Sequence, residues 1–138
     1  VWGSLDAVSA LGEWGRHLAR VHSRMLPVMQ AAERARQFDP DAEELWRTGQ
    51  QRWLAGARRL ADWLSREGSL AEPWTPASAA DMIWSLMPID LLDRLLHERR
   101  WSARRVGDHL ALLLTSTFTC NRRGQSDVRH HQEEHLQP

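Results

Sequence analysis

The sequence predicts an all-α protein built as an antiparallel helical bundle. Three observations carry this. No segment alternates apolar and polar residues with period two over the length of a strand. Two long stretches place apolar residues at alternating spacings of three and four. Between Thr75 and Phe118, capping residues and prolines punctuate three helix starts.

The first helix is expected from about Ser4 to Arg36. Leu11, Trp14, Leu18, Val21, Met25, Val28 and Ala32 keep one face apolar along it. Pro27 removes a backbone donor and crowds the turn at Ser23, which predicts a kink or a break. Phe38-Asp39-Pro40 forms the next boundary. Asp39 caps the second helix, Pro40 takes its first position, and Asp41, Glu43 and Glu44 suit its positive end. Trp46, Gly49, Trp53, Gly56, Leu60 and Trp63 form its stripe. Leu45, Leu54, Ala57, Ala61 and Leu64 add a neighbouring apolar face. Gly68 is a C-terminal stop, and a short loop from Ser69 to Trp74 follows.

Thr75 and Pro76 open a third helix, which Pro88 ends or kinks near Met87. A short leucine-rich helix spans Ile89 to Arg99. Ser102 caps the last helix, which reaches Thr119. Val106, Leu110, Leu113, Leu114 and Thr117 follow helical spacing on it, and Leu112 and Phe118 widen the apolar surface. A helix so apolar needs partners on more than one side. Beyond Cys120 apolar anchors thin out, so residues 1–120 are expected as one domain and 121–138 as a flexible polar tail.

Composition narrows the function. Hydrophobic residues at 42% and charged residues at 26% suit a soluble globular chain, and no apolar run reaches the length of a membrane span. The 18 basic and 18 acidic side chains cancel, which argues against this segment gripping nucleic acid alone. Cys120 is the single cysteine, so no intrachain disulfide forms, and a cytoplasmic location is expected. The chain opens on Val1, with its first methionine at Met25, so it is expected to be part of a longer product.

Ala79-Ala80-Asp81-Met82-Ile83-Trp84-Ser85-Leu86, the run from Pro88 to Leu96, and Glu98-Arg99-Arg100-Trp101-Ser102 resemble the effector domain of TetR-family transcriptional regulators. The family often shows an Ala-Ala-Asp-x-x-Trp helix, a leucine-rich helix after a proline, and Gly-Trp-Ser leading into the last helix. Arg100 here stands where glycine is common, and Ala103, Arg104 and Arg105 replace a usual proline and acid. The resemblance implies a cavity between the first three helices for a small lipophilic, planar or cationic effector. It also implies a homodimer through the last two helices, and operator DNA contacted only by a head that precedes these residues.

Eight tryptophans dominate the chemical resources. Indoles fill cores, and they also line cavities and stack on planar or cationic molecules. Gly49 and Gly56 sit between tryptophans on one helix face, at a cost of about 1 kcal/mol each against alanine. Either close helix packing or room for a ligand offsets that cost. The pocket residues expected are Trp14, His17, Leu18, Val21, Met25, Trp46, Gly49, Gln50, Trp53, Met82 and Leu86. The dimer residues expected are Leu92, Val106, Leu110, Leu113, Leu114 and Thr117. No catalytic group, cofactor or membrane partner is expected: no phosphate-cradling glycine loop, nucleophile elbow or Cys–His motif is present. His131 and His135 in H-Q-E-E-H have helical spacing for a metal, but no further ligand is anchored beside them, so no metal site is expected. A small helical-bundle enzyme or metal carrier, and a dimerisation module with a filled core, stand as alternatives.

Overall fold

The computed structural model describes residues 1–86 and 89–120. Met87, Pro88 and the tail with His130, His131 and His135 lie outside them. Among the described residues five α-helices follow in order: α1 (Ala7–Ala35), α2 (Pro40–Arg66), α3 (Pro76–Ser85), α4 (Ile89–Asp93) and α5 (Ala103–Phe118). A π-helical turn, Arg94–Glu98, continues α4. Among the described residues there is no strand, only an isolated antiparallel bridge between Leu70 and Thr119. No helix of the described residues is long and apolar enough to cross a membrane.

The helix ends follow local chemistry. Asp6 caps α1, its Oδ1 accepting from the Ser9 amide at 2.7 Å, so the helix begins later than Ser4. Asp39 caps α2 through the Asp41 amide at 2.9 Å, with Pro40 in the first turn. Thr75 and Ser78 form a reciprocal capping box on α3. Ser102 accepts from the Arg105 amide at 3.1 Å and opens α5. Gly68, at φ 68°, ends α2 as its position predicts.

Pro27 does not break α1, which runs through it without interruption. The missing donor affects one carbonyl, at Ser23, and Pro27 itself is exposed. Water can satisfy a carbonyl on such a face, while the turns on either side keep the helix in register.

The long helices α1 and α2 form an antiparallel hairpin. Glu67, at the end of α2, closes its far end. One carboxylate oxygen accepts from the Ala7 amide at 3.0 Å and the other from Trp63 Nε1 at 2.7 Å. The core sits between this closed end, α3 and α5. It includes Leu11, Trp14, Leu18, Leu60, Leu64, Ile83, Leu92, Val106, Leu114 and Phe118.

Among the described elements the contact between α1 and α5 is the most extensive. Small residues bring the two backbones together. A Cβ on Gly15 would lie 3.0 Å from the Ala111 amide nitrogen, and one on Gly107 would lie 3.2 Å from the Arg16 Cα. This crossing bears on the expected dimer residues. Leu92, Val106, Leu110 and Leu114 are buried inside the protomer. Thr117 is half-buried, and its carbonyl accepts from Trp74 Nε1 at 3.0 Å. Only Leu113, at 46% exposure, lies open, beside Leu112 at 63%. The leucine spacing traces the apolar stripe correctly. The helix is turned so that Gly107 and Ala111, not the larger side chains alone, face α1.

Arg100 adopts φ 59°, the left-handed conformation that disfavours a side chain. The flanking amides complete the reversal: Arg99 donates to the Arg94 carbonyl at 2.9 Å and Trp101 to the Leu95 carbonyl at 2.9 Å. Arg100→Gly is therefore expected to raise stability by about 1 kcal/mol. A urea midpoint unchanged or lowered by this substitution would refute the strain at Arg100.

Candidate ligand groove

The apolar stripe of α1 changes character along its length. Leu11, Trp14 and Leu18 are buried, whereas Val21 is half-buried and Met25 and Val28 are exposed. The stripe of α2 mirrors this in antiparallel sense. Ala57, Leu60, Ala61 and Leu64 are buried, but Leu45 and Gly49 are exposed. The hairpin is thus packed at its closed end and apolar but open toward its turn.

The open half encloses a groove of about 380 Å³. Trp14, His17, Leu18, Val21 and Met25 line it from α1, and Trp46, Gly49, Gln50 and Trp53 from α2. Val28, Met29, Ala32, Leu45, Arg52 and His22 complete the wall. Sequence reasoning did not place these last six in the pocket. Continuing the three-four spacing of α1 past Met25 would have found Val28 and Ala32. Met82 and Leu86 do not reach the groove: Met82 is on the exposed side of α3, and Leu86 packs against the core cluster. Their helix, α3, packs most extensively on α2.

The two glycines of α2 differ. A Cβ on Gly56 would lie 2.3 Å from the Trp14 ring, so Gly56 exists to seat that indole. A Cβ on Gly49 would meet nothing within 4 Å. Close packing accounts for Gly56, while Gly49 faces open space.

A second recess of about 300 Å³ adjoins the groove and shares Trp46, Gln50 and Trp53 with it. Glu33, Trp84, Ser85, Ile89 and Asp90 form its remaining walls. No spacing along the chain relates this set, which brings together the end of α1, the end of α3 and the start of α4.

Four buried side-chain nitrogens have no hydrogen-bond partner among the described residues: Trp14 Nε1, His22 Nδ1, Trp53 Nε1 and Trp84 Nε1. All four belong to residues of these two hollows. Leaving a buried polar group unsatisfied costs about 1–3 kcal/mol. The polar deficits are therefore concentrated at the hollows rather than spread through the core. The His22 ring stands edge-on to Trp53, with centroids 4.8 Å apart. Burial, and secondarily the neighbouring His17, push the His22 pKa below its ordinary value. His22 is thus a neutral member of the wall at pH 7.

Among the described residues, the other two histidines stand apart from the groove. His97 pairs with Asp93 at 2.7 Å, and His109 packs on Trp101. Among the described residues no three His, Cys, Asp or Glu side chains converge as a metal site. Cys120 Sγ contacts the Gly68 carbonyl at 3.6 Å, where Leu70 and Thr119 tie the α2–α3 loop to the end of α5. Compared with known proteins, the chain matches no family model, no curated protein and no solved structure.

Proposed function

We propose that this chain is the small-molecule-sensing, dimerising domain of a TetR-like transcriptional regulator, most simply a repressor. The observation that carries the sensing role is the α1–α2 hairpin. Its apolar stripes leave the core together and face each other across an unfilled groove. Ligand pockets are concave and mostly apolar, with a few polar groups to orient the occupant. Here Gln50 and His17 are placed for that, and Met25 and Met29 can adapt to shape.

The left-handed Arg100 supports the family reading. It lies just before Trp101-Ser102, where the family often has glycine, and the backbone there has the conformation glycine favours. Dimerisation is assigned to the outer face of α5, where Leu112 and Leu113 are exposed. In such a regulator a ligand acts by population shift. It favours the arrangement of the two protomers in which the preceding DNA-reading heads no longer fit the operator.

A panel of planar, cationic and lipophilic compounds tests the sensing role through tryptophan emission, since Trp14, Trp46 and Trp53 line the groove. Binding compounds are expected to weaken at least tenfold with Gly49→Phe, which places a ring in the open space above α2. Its melting temperature is expected to match wild type or exceed it, because a helix-interior glycine is removed. A panel without any binder, or binders indifferent to Gly49→Phe, would count against the groove.

A further inference from the structure

We infer that the molecule sensed is a cationic amphiphile, its apolar body in the groove and its charged head in the adjoining recess. This rests on the sensing reading and names its ligand class. The two hollows share Trp46, Gln50 and Trp53, so one elongated molecule can contact both. Their chemistry differs in a way that orients it. The groove is lined mainly by apolar side chains, Leu18, Val21, Met25, Val28, Met29 and Leu45 among them; its charged lining residue is the basic, exposed Arg52, and no carboxylate lines it among the described residues. The recess carries two carboxylates, Glu33 and Asp90, and among the described residues no basic side chain lines it.

Neither carboxylate forms an ion pair among the described residues. Arg36 lies 5.3 Å from the Trp46 ring centroid and is bound to Glu43 at 2.9 Å. Three indoles wall the recess: Trp46, Trp53 and Trp84. Indole faces attract cations, as this chain shows where Arg59 lies over Trp2 at 4.1 Å and Arg105 over Trp101 at 4.0 Å. Trp53 and Trp84 have no guanidinium over them among the described residues. Aromatic faces with two uncommitted carboxylates suit a quaternary or primary ammonium head. A carboxylate head would meet like charge there.

Calorimetry with three probes of matched chain length tests this: decyltrimethylammonium, decanoate and 2-decanone, each below its aggregation concentration. The ammonium is expected to bind about tenfold more tightly than either other probe at low salt, and the gap is expected to narrow as sodium chloride screens the carboxylates. The double variant Glu33→Gln, Asp90→Asn is expected to erase most of that preference and leave 2-decanone unchanged. Both positions are exposed, so the fold should tolerate the change. If the probes bind equally, or decanoate binds best, or the double variant keeps the ammonium preference, the cationic assignment is overturned and the sensing groove stands. If none of the three binds, both fall.

Discussion

Leu114→Arg is expected to unfold the protomer, whereas Leu113→Arg, one position earlier, leaves it folded and separates the proposed dimer. Leu114 is 0% exposed and belongs to the core shared by α1 and α5. Arginine there loses the packing of a buried leucine, worth about 2–5 kcal/mol when truncated, and adds an unpaired buried charge. A domain of this size holds only about 5–15 kcal/mol in total. Leu113 is 46% exposed, so its side chain contributes little to the protomer. Arginine at that position is expected to shift stability by no more than about 0.5 kcal/mol. Its effect falls on the outer face of α5, where an arginine on each copy would meet its twin across a two-fold axis. Circular dichroism and light scattering read the two outcomes separately. A monomeric wild type at high concentration, or a dimeric Leu113→Arg, would remove α5 from the interface.

That contrast marks what the sequence could reveal. Helix starts were legible because each depends on one or two residues: Asp39 with Pro40, Thr75 with Pro76, and Ser102 all cap where their local chemistry predicts. Most groove residues were legible for a related reason. Trp14, Leu18, Val21 and Met25 on α1, and Trp46, Gly49 and Trp53 on α2, fall on stripes that antiparallel neighbours must turn toward each other. A stripe does not name its partner. The leucines of α5 look alike whether they meet α1 or another copy, and the deciding residues were Gly15, Gly107 and Ala111. Small residues add almost nothing to an apolar pattern, yet they set how closely two helices approach. The recess was illegible because Glu33, Trp84 and Asp90 come from three separate elements, and no spacing along the chain relates them.

The same small residues make Gly15→Val the second large effect. The atoms nearest a Cβ on Gly15 are the Ala111 nitrogen at 3.0 Å and the Leu110 carbonyl carbon at 3.2 Å, both backbone. A flexible side chain could swing aside, but a helix backbone can yield only by moving as a whole. Overpacking of this kind costs about 1–3 kcal/mol. Removing a helix-interior glycine gains about 1 kcal/mol, so Gly15→Ala is expected to land near balance or slightly below wild type. Valine adds two methyl groups to a contact that is already closed, and its cost should exceed about 3 kcal/mol. Gly49→Ala supplies the control, because the same propensity gain arrives with no atom within 4 Å and should stabilise. Urea midpoints should therefore rank Gly49→Ala first, then wild type, then Gly15→Ala, with Gly15→Val last. A Gly15→Val protein as stable as wild type would mean that α1 and α5 do not cross at backbone contact. The burial of Leu110 and Leu114 within one protomer, which leaves Leu112 and Leu113 to the proposed dimer face, would then lose its cause.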